Sequence, residues 1–313
     1  MKAVLFLTPV IGILIMTSTL QAQSKTNDSS TTKKSIRTAE GRSTVTTPTI
    51  PPGVRLLPDV EYLPNGHTRN KLDLYLPSDS SKPVPVILWV HGGGWSAGSK
   101  SRCPAIPLTA QGFAVASMNY RFSQHATFPA QIHDCKSAVR WLRTHAHQHG
   151  LDSDHIGAWG SSAGGHLVAL LGVSGGHAEL EGTQGNLDQS SRVQAVVDWF
   201  GPTDFLTVGS KPTRTKLLGG NPLENRDIAR LASPLYHVSE GDCPFLIMHG
   251  DKDHTVPISQ SEVFAAALSK ARVETTFVTV IGGGHGGAKF TDAEQLERVE
   301  KFFAKHLKPS SRQ

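Results

Sequence analysis

Cysteine is scarce in this 313-residue chain: Cys103, Cys135 and Cys243 are the only three, so at most one intramolecular disulfide can form and a disulfide-built scaffold is excluded. Long apolar runs are also missing. The one candidate, residues 3–16, is too short to cross a bilayer comfortably. A charge of one sign is lacking where it would matter. Six of the 31 Lys and Arg and two of the 26 acids fall in the first 50 residues, which leaves 25 basic against 24 acidic residues for the rest. That near-neutral remainder does not supply the basic face on which nucleic-acid binding depends. No internal repeat of solenoid length is visible.

What is present begins with an export pattern. Lys2 precedes the apolar run, a polar segment follows, and cleavage after Ala22 would leave Leu20 where a small residue is preferred. Residues 1–22 therefore read as a signal peptide of a secreted or periplasmic protein, with membrane attachment as the alternative if the segment stays uncleaved. Residues 23–52 are rich in Ser, Thr and Lys and hold hardly a large apolar side chain, so they read as a disordered linker. The remaining length, in a chain that is 38% hydrophobic, suits one domain over 53–307 and a short tail over 308–313. In an oxidising compartment Cys103 and Cys135 are the candidate pair, against three unpaired thiols, and Cys243, just before the apolar run 245–248, is the expected buried thiol.

Past Gly53 short β-rich runs alternate with helical patterns, which predicts an α/β sheet with helices on both faces. Residues 60–63 and 72–76 flank the turn Pro64-Asn65-Gly66 and should form an antiparallel hairpin. Continuous apolar runs predict strands over 84–90, 113–119, 155–159, 193–200, 244–249 and 275–281. Pro129 opens a helix that carries Ile132, Ala138, Val139 and Leu142 and ends near Gly150. His145, His147 and His149 at its end have no carboxylate at a matching spacing, so they read as a solvated helix end rather than a metal cluster. Leu296, Val299, Phe302 and Phe303 mark an amphipathic helix over 292–306.

The chemistry concentrates in Gly160-Ser161-Ser162-Ala163-Gly164, which follows one predicted strand and precedes the helical run 166–171. A Gly-x-Ser-x-Gly turn there lifts the Ser162 hydroxyl above the sheet at a helix N-terminus. An ordinary hydroxyl is a poor nucleophile, so it needs a base, and the base needs an acid to orient it. Asp253 and His285 follow the last two predicted strands in that order, at the sheet edge where open α/β sheets bind ligands. Asp251 is the rival acid, with a turn-capping role as its alternative; His249 and His254 are the rival bases. His91-Gly92-Gly93-Gly94-Trp95 follows a buried strand, so Gly93 and Gly94, with Ala163 after the nucleophile, can aim N–H groups at a developing oxyanion. His91 should hold that loop. Trp95 and Phe200 are the candidate substrate contacts, with core packing as their alternative. Nothing in this machinery calls for a cofactor or a metal.

With these parts in order, residues 55–307 resemble the α/β-hydrolase superfamily, and the His-Gly-Gly-Gly loop is similar to that of esterases related to hormone-sensitive lipase. The segments Asn119-Tyr120-Arg121, Phe128-Pro129-Ala130-Gln131, Ala138-Val139-Arg140-Trp141-Leu142-Arg143, Phe200-Gly201-Pro202-Thr203-Asp204 and Ala232-Ser233-Pro234 resemble bacterial carbohydrate esterases of the feruloyl and acetyl xylan type. The resemblance implies an α/β-hydrolase fold with a mostly parallel sheet, an N-terminal antiparallel hairpin and no large lid. It implies a small-molecule or polysaccharide ester as substrate and the triad Ser162, Asp253 and His285. The alternatives are a broad carboxylesterase or lipase, a peptidase, and a binding module that has kept the fold without the chemistry.

Overall fold

A computed structural model of the chain describes residues 50–78 and 81–308. The expected signal segment, nearly all of the expected linker and the tail beyond Lys308 lie outside the described residues.

In chain order the strands are β1 Val54–Glu61, β2 Lys71–Pro77, β3 Val84–Val90, β4 Ala114–Met118, β5 Leu151–Ser161, β6 Ala195–Trp199, β7 Phe245–Gly250 and β8 Thr275–Val280. They form one eight-stranded sheet in the order β1-β2-β4-β3-β5-β6-β7-β8. β2 pairs antiparallel with β1 and β4, and every later pairing is parallel. Because β3 lies between β4 and β5, all seven of its residues are buried, which is why its sequence is apolar without alternation. Its pleat sends Val86, Leu88 and Val90 into one core and Ile87 and Trp89 into the other.

The helices are α1 Ala130–Thr144, α2 Ala146–His149, α3 Ala163–Val173, α4 Ala178–Glu181, α5 Pro212–Leu218, α6 Arg226–Ala232, α7 Ser259–Lys270 and α8 Ala293–Leu307. Ile132 and Val139 of α1, Leu167 of α3 and Phe264 of α7 fill the first core. Val299, Phe303 and Leu307 of α8 close the second, so both faces are covered as the alternating pattern predicts. Asp292 starts α8 by accepting the Gln295 N–H at 2.9 Å.

Several expectations need correction. The hairpin forms, but its first strand ends at Glu61; Tyr62 and Leu63 turn into the core instead, where the Tyr62 hydroxyl donates to the Asn119 carbonyl at 2.8 Å. β1 starts earlier than its apolar residues suggest, because as a half-exposed edge strand it needs no continuous apolar run. The helix expected to reach Gly150 breaks at His145, which stacks on Trp141 at 4.3 Å between ring centroids. All three cysteines are free. Cys135 is fully buried in the first core while Cys103 packs on the second, so they lie on opposite faces of the sheet and cannot meet. Cys135, not Cys243, is the fully buried thiol, since Cys243 stands before β7 rather than within it.

Arg140, in the middle of one of the carbohydrate-esterase-like segments, is used to lock α1 to α4. Glu181 receives Lys136 Nζ at 2.6 Å, Arg140 Nη1 at 3.1 Å and the Ser191 hydroxyl at 2.8 Å, and both cations are buried. Burial pushes the Glu181 pKa up, but the Lys136 and Ser191 hydrogen bonds overcome it and hold the group below the usual carboxylate range. Its contribution to stability is therefore complete above the unfolded value of about 4.3 and is lost as pH falls through the lower folded value. Glu181→Gln leaves two buried cations uncompensated, and urea unfolding should show a loss of about 3–5 kcal/mol at neutral pH. A variant as stable as the parent would refute this account of the network.

Candidate active site

The turn from β5 into α3 gives Ser162 a φ of 55° and a ψ of −118°, a conformation disfavoured for any residue with a Cβ. The Trp199 carbonyl accepts the Ser162 N–H at 2.8 Å and so ties the turn to the end of β6. The turn can be this sharp only because its neighbour lacks a side chain. A Cβ added at Gly164 would stand 2.0 Å from the Val90 carbonyl oxygen, so α3 approaches β3 through bare backbone.

His285, in the loop after β8, reaches Ser162 Oγ with Nε2 at 2.8 Å and Asp253 Oδ2 with Nδ1 at 2.7 Å. A carboxylate only accepts, so Nδ1 carries the proton and Nε2 is left to accept from the Ser162 hydroxyl. The Asp253 side chain is fully buried, and its Oδ1 accepts the N–H groups of Thr255 at 2.7 Å and Val256 at 2.9 Å. Burial raises its pKa, yet hydrogen bonds from His249, His285 and Val256 outweigh that and hold it well below the ordinary aspartate value. The rival residues are accounted for. Asp251 Oδ1 accepts the Gly282 N–H and thereby joins the loops after β7 and β8. His254 is exposed, away from this chain of contacts. His249 is buried behind the acid. Its Nε2 donates to the Val256 carbonyl at 2.9 Å and stands 3.3 Å from Asp253 Oδ2, while Nδ1 faces the Ser261 hydroxyl at 2.7 Å.

Gly93 and Gly94 border the same cleft as Ser162, and Ala163 opens α3, where the first N–H groups of a helix have no intrahelical acceptor. Gly93 has a φ of 120°, open to glycine alone, and its carbonyl accepts from Ser96 and Ala97 to close the loop. His91 holds this loop as expected of it. Its Nδ1 donates to the Gly92 carbonyl at 2.7 Å, its ring stacks on Tyr120, and Arg69 lies 3.3 Å from Nε2. Burial and the Arg69 charge push its pKa down to about 4 against the opposing Gly92 hydrogen bond, so the ring is neutral. Trp95 is 3% exposed, and its indole N–H donates to Nδ1 of buried His166 at 3.1 Å. Although it borders the cleft, it is anchored like a core residue. Phe200, 4% exposed, is likewise packed in the second core, against Phe290, and its ring centroid lies 4.8 Å from that of His285.

The cleft above Ser162 has a volume of about 850 Å³, with Trp89, Trp199, Phe290 and Val256 among its apolar walls. Sequence reasoning missed Lys211, Thr213 and Arg214, which reach it from α5 and its N-cap. Pro212 at the first helical position was a usable signal for that short helix. Arg69 and His249 were also missed as supports, because their partners lie far away in sequence or behind the acid. No group of metal-binding side chains exists among the described residues.

Comparison with known proteins fits this geometry. The BD-FAE family profile matches residues 72–268, which include Ser162 and Asp253 and stop short of His285. Esterase LipQ of Mycobacterium tuberculosis is 31% identical over 239 residues, covering 72% of this chain and 56% of LipQ, so the chain spans little more than half the length of that relative. A truncated carbohydrate esterase from gut microbiota superposes with a TM-score of 0.76 at 35% identity, over 80% of this chain and 95% of that one. An acetyl ester-xyloside bifunctional hydrolase from Caldicellulosiruptor lactoaceticus gives a TM-score of 0.69 at 27% identity, over 82% and 97%. With the sheet order, the sharp serine turn and a family match over most of its length, this chain belongs to the BD-FAE family of α/β-hydrolase esterases.

Proposed function

We propose that the protein is a serine carboxylic ester hydrolase that removes acetyl or feruloyl groups from carbohydrate through an acyl-enzyme. The single observation that carries this reading is the unbroken contact from Ser162 Oγ through His285 to Asp253, at 2.8 and 2.7 Å, facing an open cleft. His285 takes the Ser162 proton as Oγ attacks the ester carbonyl, and the N–H groups of Gly93, Gly94 and Ala163 receive the oxyanion. The imidazolium then protonates the leaving alcohol, and a water activated by the same ring releases the acid. The likeness to a gut carbohydrate esterase and to an acetyl ester-xyloside hydrolase supports a sugar as the alcohol. Export belongs to the same proposal, since a glycan substrate lies outside the cell; N-terminal sequencing of protein recovered from the medium or periplasm should begin near Gln23.

Assays of acetylated xylan, a feruloylated oligosaccharide and 4-nitrophenyl acetate test the substrate class. Release of acid from at least one of the glycans is expected. Turnover of the aryl acetate alone would replace the proposal with a broad carboxylesterase. Trp95→Ala is expected to lower kcat/KM on acetyl and aryl esters alike and to lower Tm, because it removes a buried ring and leaves His166 Nδ1 without its donor. A loss confined to aryl esters at unchanged Tm would assign Trp95 to the acyl pocket instead.

A further inference from the structure

The cleft carries a charge that ester hydrolysis does not require. Arg102, Lys211 and Arg214 all border it, and among the described residues that line it there is no Asp or Glu. Arg214 is 3% exposed. Its guanidinium donates to the carbonyls of Val208 at 2.8 Å, Gly209 at 2.7 Å and Thr255 at 3.3 Å, and Lys211 Nζ donates to the same Thr255 oxygen at 2.8 Å. All of these partners are neutral, and none of the three cations belongs to an ion pair among the described residues. Elsewhere this protein treats buried cations differently, since Lys136 and Arg140 share Glu181. A buried guanidinium held only by carbonyls keeps its charge uncompensated, and a low-dielectric cleft focuses that field toward whatever enters it.

The two inner cations also stand close to the chemistry. Thr213, between them in sequence, packs on the oxyanion loop: a Cβ added at Gly94 would lie 3.1 Å from Thr213 Cγ2. Thr255, which receives both cations, donates its own N–H to Asp253. Lys211 and Arg214 therefore bridge the oxyanion loop and the acid loop. Acetyl and feruloyl groups bear no negative charge, so an anion that satisfies these cations must sit on the alcohol side of the ester.

We propose that the cleft selects acyl esters of acidic sugars, with the half-buried Lys211 ammonium contacting the sugar carboxylate and Arg214 supplying a fixed positive field behind it. This rests on the carbohydrate-esterase reading above. Steady-state kinetics on an O-acetylated methyl glucuronoside and the matching O-acetylated methyl glucoside test it, at low and at high NaCl. The acidic substrate should have the higher kcat/KM by about tenfold or more at low salt, as a charge-assisted contact warrants, and the ratio should shrink at high salt. Lys211→Gln should bring the ratio toward one and Lys211→Glu should invert it; a thermal melt of each variant establishes that the fold is kept. Equal, salt-insensitive kcat/KM for the two sugars, or a ratio unmoved by Lys211→Glu, would overturn the proposal and leave the carbohydrate reading standing. Hydrolysis of 4-nitrophenyl acetate with neither sugar ester turned over would overturn both.

Discussion

Ser162→Ala should abolish ester hydrolysis, with kcat about a million-fold lower, while circular dichroism and Tm stay close to those of the parent. The backbone reason for an intact fold is that Ser162 holds its φ of 55° through the Trp199 and His166 backbone hydrogen bonds, which alanine retains. Alanine has a Cβ like serine and faces no new clash. The chemical reason for the loss is that, among the described residues, Ser162 supplies the only hydroxyl hydrogen-bonded to His285 Nε2. Ser161 is the last residue of β5, and the hydroxyl hydrogen-bonded to His285 Nε2 is that of Ser162, so Ser161→Ala should change turnover only mildly. An organophosphate such as paraoxon should add one phosphoryl group to the parent and none to Ser162→Ala, as read by intact-protein mass spectrometry. Full activity in Ser162→Ala, or labelling at Ser161, would remove the nucleophile from its assigned position.

Asp253→Asn should lower kcat about ten-thousand-fold, an effect on tautomer rather than on charge alone. Every group around the carboxylate is a donor: the Thr255 and Val256 N–H groups meet Oδ1, and His285 Nδ1 and His249 Nε2 face Oδ2. An asparagine must keep its carbonyl oxygen toward the two backbone N–H groups, because those donors are fixed. Its NH2 then points at His285 Nδ1 and forces that nitrogen to accept. The proton moves to Nε2, where it confronts the Ser162 hydroxyl and prevents the ring from acting as base. Asp251→Asn, by contrast, should alter kcat by no more than severalfold and act on Tm, since Asp251 ties the Gly282 N–H and not the imidazole. Comparable turnover in Asp253→Asn and the parent would sink the assignment. Because Asp253 is held well below the ordinary range, loss of activity on mild acidification does not come from its protonation.

Much of the fold and all three residues of the candidate triad are legible in the sequence. β3 and β7 advertise themselves as unbroken apolar runs because they are covered on both faces, and α8 shows a stripe because it is covered on one. β1 was blurred for the opposite reason: an edge strand with one exposed face resembles a loop in composition. The stop at His145 was not legible, since no Gly or Pro marks it; where the helix ends, the His145 ring lies on Trp141 with Nδ1 2.9 Å from the Trp141 carbonyl. Local chemistry also separated Asp253 from Asp251 in the right sense for the observed contacts: both reach the glycine loop after β8, but Asp251, at the strand end, meets the Gly282 N–H, whereas Asp253, two residues deeper, meets the His285 imidazole.

What the sequence determined by itself was the order of strand, sharp serine turn, acid and histidine, because each of those features is written in residues adjacent to one another and is enforced by short-range sterics. What only the tertiary structure decided were pairings across long separations. Cys103 and Cys135 were kept apart by the sheet between them, Trp95 was drawn into the core by His166, and α5 brought Lys211 and Arg214 against Thr255 at the cleft. Periodicity reports which face a residue takes, but not what will lie opposite that face; that is set when the β6–β7 connection packs over the strand ends, and so the charge of the cleft belongs to the fold rather than to any one segment.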